Sequence, residues 1–137
     1  DARLRIQHCI VPNDLFYLKK GGRVSAVSAV FGTALNIKPM LIFDTEGKLK
    51  VVDKCRGMKK AFASTLAKME RLQPTEQERM IRIVHTDAEE DARELADLIE
   101  QRWAFRPEIS IMGPVIGSHV GPGAVAVIWK TQQLRND

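Results

Sequence analysis

Alternating apolar and polar residues predict a series of short β-strands along this chain. Side chains on one face of a strand recur at every second residue. Runs that fit this spacing span residues 3–11, 37–43, 48–55, 79–85, 108–113 and 124–130. The second and third runs flank a turn that contains Gly47, and this arrangement is typical of a β-hairpin.

Apolar residues at helical spacing predict the remaining elements. Helices are expected over residues 15–20, 26–36, 57–72 and 88–103. Ser25 is a suitable N-cap for the second helix, and Thr86 with Glu89 has capping-box spacing at the start of the last. The order of elements predicts a two-layer α/β sandwich, with a mixed sheet of about six strands and helices packed mainly on one face.

Composition indicates a folded domain. Hydrophobic residues make up 45% of the 137 residues and charged residues 28%, which excludes an intrinsically disordered chain. The chain begins at Asp1, close to strand-like sequence and without an initiating methionine or a signal peptide. We therefore expect residues 1–137 to form a single domain of a longer protein. The apolar runs are too short for a membrane span, so stable membrane insertion is not expected.

Charge and cysteine content narrow the function classes further. The net charge is +4 and aromatic residues make up 6%, which argues against a nucleic-acid-binding surface. Cys9 and Cys55 are too few for a disulfide framework or a CxxC metal site, and we expect both to be buried thiols of a cytoplasmic protein. His8 and His85 lie on predicted strands without a third ligand, so no metal site is expected.

Three segments carry candidate chemistry, each with a plainer alternative. Gly21-Gly22-Arg23 offers backbone amides and a cation to a carboxylate or phosphate, or it is simply a turn between helices. The glycine-rich segment 113–123 presents Ser118-His119, and His119 is either a ligand donor or is satisfied by a carbonyl in a bulged connection.

The third segment is the small-residue helix 26–36, which borders either an apolar cavity or the plain core. An apolar cavity there favours a long apolar ligand over a nucleotide. The candidate wall residues, all apolar, are Val27, Phe31, Leu35, Ile37 and Ile116. No P-loop, GxGxxG, HExxH or GxSxG motif occurs, and no motif marks Ser118 as a nucleophile.

Four segments, in order, resemble the C-terminal domain of the DegV family. They read NDLFYLKKGGRVS, GTALNIKPMLIF, GKLKVVDKCRG and GPVIGSHVGPGAVAV. The resemblance implies a bacterial fatty-acid-binding protein of two α/β domains, with the ligand in a tunnel between this domain and an N-terminal domain outside the chain. It further implies an acyl carrier, without enzymatic activity or cofactor, that presents the fatty acid to a kinase.

The same resemblance assigns roles to individual residues. Arg23 and His119 match the positions that bind the fatty-acid carboxylate, and Arg56 matches a position implicated in docking the kinase. Two positions on, where the family often has a second basic residue, this chain has Met58. The alternative function is a transferase or hydrolase domain acting on an acyl or phosphoryl substrate, with Arg23 and His119 as charge-stabilising groups.

Overall fold

A mixed six-stranded sheet forms the centre of the domain. The computed structural model describes residues 2–23, 36–76 and 80–135. After a 3-10 turn at Ala2–Arg5, the strands are β1 (Ile6–Val11), β2 (Ile37–Phe43), β3 (Leu49–Arg56), β4 (Ile81–His85), β5 (Glu108–Ile111) and β6 (Val125–Lys130). Their order across the sheet is β3-β2-β1-β6-β4-β5.

All neighbouring strands are antiparallel except β4 and β5. The described helices are α1 (Leu15–Lys20), α2 (Met58–Arg71), α3 (Glu89–Trp103) and α4 (Pro114–Val120). Parallel strands need a crossover connection, and α3 provides it between β4 and β5.

Apolar side chains of the central strands point to both faces of the sheet. On β1, Cys9 joins the core beneath α2 and α3, whereas Ile10 joins a second cluster with residues of α1 and α4. On β6, Val127 and Ala126 divide in the same way because successive side chains alternate between faces. The two long helices therefore cover one face, and the two short helices pack against the other.

The structure confirms the predicted α/β fold with a mixed six-stranded sheet, the hairpin of β2 and β3, and two buried thiols at Cys9 and Cys55, and it adds two short helices on the second face. The helix expected over 26–36 lies almost entirely outside the described residues. The glycine-rich segment 113–123 is not a bulged connection, because most of it forms α4, with Pro114 in the first turn where its missing N–H is tolerated.

The predicted capping box at the start of α3 is wrong. Ala88 occupies the N-cap position without a side-chain hydrogen bond. The Thr86 hydroxyl instead donates to the carbonyl of Gly121 and accepts the backbone N–H of Ala124 at 3.0 Å. It therefore fixes the segment that follows α4 rather than the helix that follows its own strand.

Candidate functional site

A cavity of about 520 Å³ opens on the face of the sheet that carries α1 and α4. Its wall is largely apolar and is formed by Ile10, Leu18, Phe43, Leu49, Val115, Ile116 and Val120. Three polar side chains also line it: Arg23, Lys48 and His119. The cavity thus combines an apolar wall with basic groups, and none of these described lining residues is acidic.

Arg23 is positioned by the end of α1. Asp14 caps the start of this helix by accepting the N–H of Phe16 at 2.8 Å. At the other end, Gly22 adopts a φ of 79°, a left-handed conformation that glycine tolerates best, and the N–H of Arg23 donates to the carbonyl of Leu18 at 2.8 Å. Because Leu18 is buried, this turn holds the exposed Arg23 side chain beside the cavity.

His119, which is far from Arg23 in the sequence, packs against the same turn. It lies in the last turn of α4 and is half-buried. A β-carbon built on Gly21 would lie 2.6 Å from His119 Nδ1, so the imidazole packs directly against the glycine backbone. The Arg23 guanidinium also donates from Nη1 to the Gly21 carbonyl at 2.6 Å. Arg23 and His119 therefore converge on Gly21.

The segment after α4 locks the two short helices together. Gly121 has a φ of 76°, and a β-carbon there would overlap the ring of Tyr17 on α1. The Thr86 hydroxyl holds the Gly121 carbonyl from the other side. This close approach of α1 to α4 sets the spacing between Arg23 and His119.

Lys48 enters the site from the β2–β3 turn. Its Nζ lies 2.6 Å from the Glu46 carboxylate, and both side chains are exposed. Leu49 follows Lys48 and contributes to the apolar wall. No local sequence pattern marks either residue, because only the pairing of the hairpin against β1 brings its turn beside α4.

The structure brings together part of the predicted site. Ile116 lines the cavity with Arg23 and His119, and it is 44% exposed. Ile37 lies on the same face of β2 as Phe43 but at the other end of the strand, roughly 20 Å away at the usual rise per residue, and it is outside this cavity. Three further predicted wall residues lie outside the described residues: Val27, Phe31 and Leu35.

Arg56 is separate from the cavity. It is the last residue of β3, which is an edge strand, and its register partner is Ile37. Its side chain is exposed, so it can be reached by a macromolecular partner. Its docking role stays a prediction.

The other polar side chains considered in the sequence have structural partners. Ser118 Oγ donates to the Val115 carbonyl at 2.9 Å within α4. His8 Nε2 accepts the N–H of Phe43 at 2.6 Å, and His85 Nδ1 accepts the N–H of Ala88 at 3.1 Å. Over the ranges that the structure describes, no three potential metal-ligating side chains cluster. Within the same ranges, no helix has the length and apolar character needed to cross a bilayer.

Comparison with known proteins gives consistent matches. Residues 1–132 match the family model described as "Uncharacterised protein, DegV family COG1307". A DegV domain-containing protein of Clostridium perfringens is 36% identical over 126 residues, which cover 91% of this chain and 43% of the relative. The chain therefore spans less than half the length of this curated relative.

Solved structures of DegV family proteins also match the fold of this chain. The crystal structure of a fatty acid binding DegV family protein from Streptococcus agalactiae is 37% identical, with a TM-score of 0.74 over 94% of this chain and 46% of that one. The Fatty Acid Kinase (Fak) B3 protein of Streptococcus pneumoniae, loaded with linoleic acid, has a TM-score of 0.75 over 96% of this chain and 46% of that one, and at 17% identity it shows the fold alone. From the family model and these relatives together, this chain belongs to the DegV family.

Proposed function

We propose that this chain binds a long-chain fatty acid, with the carboxylate at Arg23 and His119 and the acyl chain along the apolar wall. The observation that carries the proposal is the convergence of these two side chains on Gly21 beside an apolar cavity. Arg23 supplies a permanent charge, and His119 supplies a ring N–H donor. The Streptococcus agalactiae relative, described as fatty acid binding, supports the same ligand class.

The energetics of such a ligand fit the composition of the cavity. Each methylene group that is fully buried contributes about 0.8 kcal/mol, so the acyl chain provides most of the affinity. The carboxylate provides specificity, because a buried charge without a partner costs several kcal/mol. The cavity has groups for both parts of the ligand. Phe43 and Leu49 in its wall can contact the acyl chain, and the basic side chains beside them can pair with the carboxylate.

We infer that an N-terminal domain encloses the other side of the ligand. Val115 and Ile116, which line the cavity, are 75% and 44% exposed. Large apolar side chains exposed beside a cavity are typical of a surface that another domain covers. The length of the relatives, about twice that of this chain, leaves room for such a domain.

The test compares a fatty acid with the alcohol of the same length, in a protein that contains both domains. Arg23→Ala should weaken fatty acid binding about tenfold or more, since hydrogen bonds to charged groups contribute roughly 1.5–3 kcal/mol. Binding of the alcohol should change by less than about twofold, because it lacks the charge. Lys20→Ala, a cation on α1 that does not line the cavity, is the matched control. Equal losses for acid and alcohol would contradict the carboxylate assignment.

We further propose that the bound fatty acid is presented to a kinase, which would transfer the γ-phosphoryl group of ATP to the carboxylate and release ADP. In this reaction the chain holds the substrate and does no chemistry itself. The exposed position of Arg56 on an edge strand supports a docking role. Arg56→Glu should leave fatty acid affinity unchanged and reduce acyl phosphate formation by the kinase. Unaltered acyl phosphate formation would refute the docking assignment.

The transferase or hydrolase alternative makes a different prediction. Such an enzyme would need a nucleophile or a general base beside Arg23 and His119, and the nearby Ser118 hydroxyl donates within its own helix. An assay of acyl phosphate turnover by the chain without a kinase separates the two functions. Sustained turnover that is lost in His119→Ala would favour the enzyme.

A further inference from the structure

A second cavity, of about 430 Å³, lies on the opposite face of the sheet. It is formed by α2, the β2–β3 hairpin and residues 133–135, which follow β6. Its apolar surface comes from five side chains: Met40, Ile42, Val52, Leu72 and Leu134. Met40 belongs to the core beneath α2 and α3, so the sheet separates this cavity from the one that contains Arg23 and His119.

Basic side chains dominate the rim of this second cavity. The cations that line it are Lys50, Lys68, Arg71 and Arg135. Asp53 is the one carboxylate among its described lining residues. That carboxylate is already engaged, because it accepts the Ser64 hydroxyl and, at 2.8 Å, the backbone N–H of Lys54. The lining therefore carries a net excess of positive charge.

A buried amide adds an unsatisfied donor. Gln7 lies on β1 and lines the same cavity, and its residue is only 1% exposed. No acceptor for its Nε2 group exists among the described residues. A buried N–H group without a partner is unfavourable, and native proteins almost always supply an acceptor from protein, water or ligand. Here a ligand oxygen in the cavity would supply it.

We propose that this cavity binds a small organic phosphate, a phosphate monoester with an apolar body. The phosphoryl oxygens would accept hydrogen bonds from Arg71, Lys68 and Gln7, while the body would lie on the apolar surface. A phosphate monoester suits this set better than a carboxylate does, because it carries nearly two negative charges and three terminal oxygens at neutral pH. The site is independent of the proposed fatty acid site.

The test is a titration of the ¹⁵N-labelled chain with phenyl phosphate at constant ionic strength. Binding is monitored through the amide chemical shifts. Saturable shifts are expected for residues 50–53, for residues 133–135 and for the side-chain amide of Gln7. Arg71→Gln should weaken binding about tenfold or more, the usual effect of losing a charged hydrogen bond. Lys59→Gln is the matched control, because Lys59 is an exposed cation on the same helix and outside the cavity.

Two further arms make the result decisive. Gln7→Leu removes the amide but keeps a similar volume. This variant should remain folded and should bind phenyl phosphate severalfold more weakly. Arg23→Gln should leave phenyl phosphate affinity unchanged, which separates this site from the first cavity. The proposal is overturned if the Arg71→Gln and Lys59→Gln variants bind phenyl phosphate with equal affinity. It is also overturned if the chemical shift changes fall only around Arg23 and His119, or if no saturable change occurs.

Discussion

Gly21 offers a way to disturb the candidate site without altering either polar side chain. Its φ is −80°, an ordinary value for any residue, so alanine there causes no backbone strain. The added β-carbon, however, would lie 2.6 Å from His119 Nδ1, which is 0.8 Å inside the 3.4 Å at which ordinary contact begins. Gly21→Ala must therefore displace the imidazole, the turn, or both.

The expected cost follows from this overlap. Overpacking by one methyl group usually destabilises a protein by about 1–3 kcal/mol. The half-buried ring of His119 can rotate to relieve part of the clash, and alanine reduces the freedom of the unfolded chain, so a net loss of about 1–2 kcal/mol is expected. Fatty acid affinity, in the protein with both domains, should fall about tenfold because His119 no longer faces the ligand with Arg23.

Gly113→Ala is the control for this experiment. Gly113 has a φ of −58° and no atom within 4 Å of a built β-carbon, and it precedes α4, the helix that carries His119. Gly113 is the N-cap of α4, where alanine is less favourable than glycine, so alanine there should lower the free energy of unfolding by less than about 1 kcal/mol and leave the fatty acid affinity unchanged. Urea unfolding, imidazole chemical shifts of His119 and fatty acid titration form the assay. If Gly21→Ala behaves like Gly113→Ala in all three, His119 is not held against the turn and the reasoning fails.

Three other predictions concern the scaffold. Thr86→Val should lower the free energy of unfolding by about 1–3 kcal/mol, since the Gly121 carbonyl loses its donor, and an unchanged urea midpoint would contradict this. A hydrogen bond from Ser64 holds the pKa of Asp53 below its ordinary value of 3.8, against the opposing effect of burial, so Asp53→Asn should destabilise at pH 7. That difference should shrink as the pH falls below about 4, because a lowered pKa stabilises only while the carboxylate is ionised, and a pH-independent difference would refute the assignment. Burial raises the pKa of the Cys9 thiol to about 11, so its alkylation in the native protein at pH 8.5 should be roughly a hundredfold slower than that of a free thiol, and rapid labelling without unfolding would disprove it.

The two cavities lie on opposite faces of the same sheet. Ile10 and Leu41 point to the face with Arg23 and His119, whereas Gln7 and Met40 point to the face with the basic cavity. A substitution on one of these strands should therefore affect only one cavity. This separation allows the two proposed ligands to be tested independently.

Much of the secondary structure could be predicted from the sequence, because strand alternation and helical periodicity are local properties. The hairpin of β2 and β3 is an example, since a glycine-containing turn between two apolar runs favours it over other connections. The cap of α3 could not be predicted in this way. Thr86 has capping-box spacing from Glu89, but its hydroxyl bonds to Gly121, 35 residues along the chain, because the fold brings that carbonyl within reach.

The candidate site could likewise be predicted only in part from the sequence. The glycines beside Arg23 and the glycine-rich run around His119 marked both residues only as candidates with plainer alternatives, and the resemblance to the DegV family implied that the two bind one carboxylate. Neither pattern reveals that both side chains meet at Gly21, or that the β2–β3 turn adds Lys48 to the same cavity. Those contacts arise from the packing of α1 on α4 and from strand pairing across the sheet. Local spacing along the chain thus determined which elements form, and long-range packing decided which of their side chains line the same cavity.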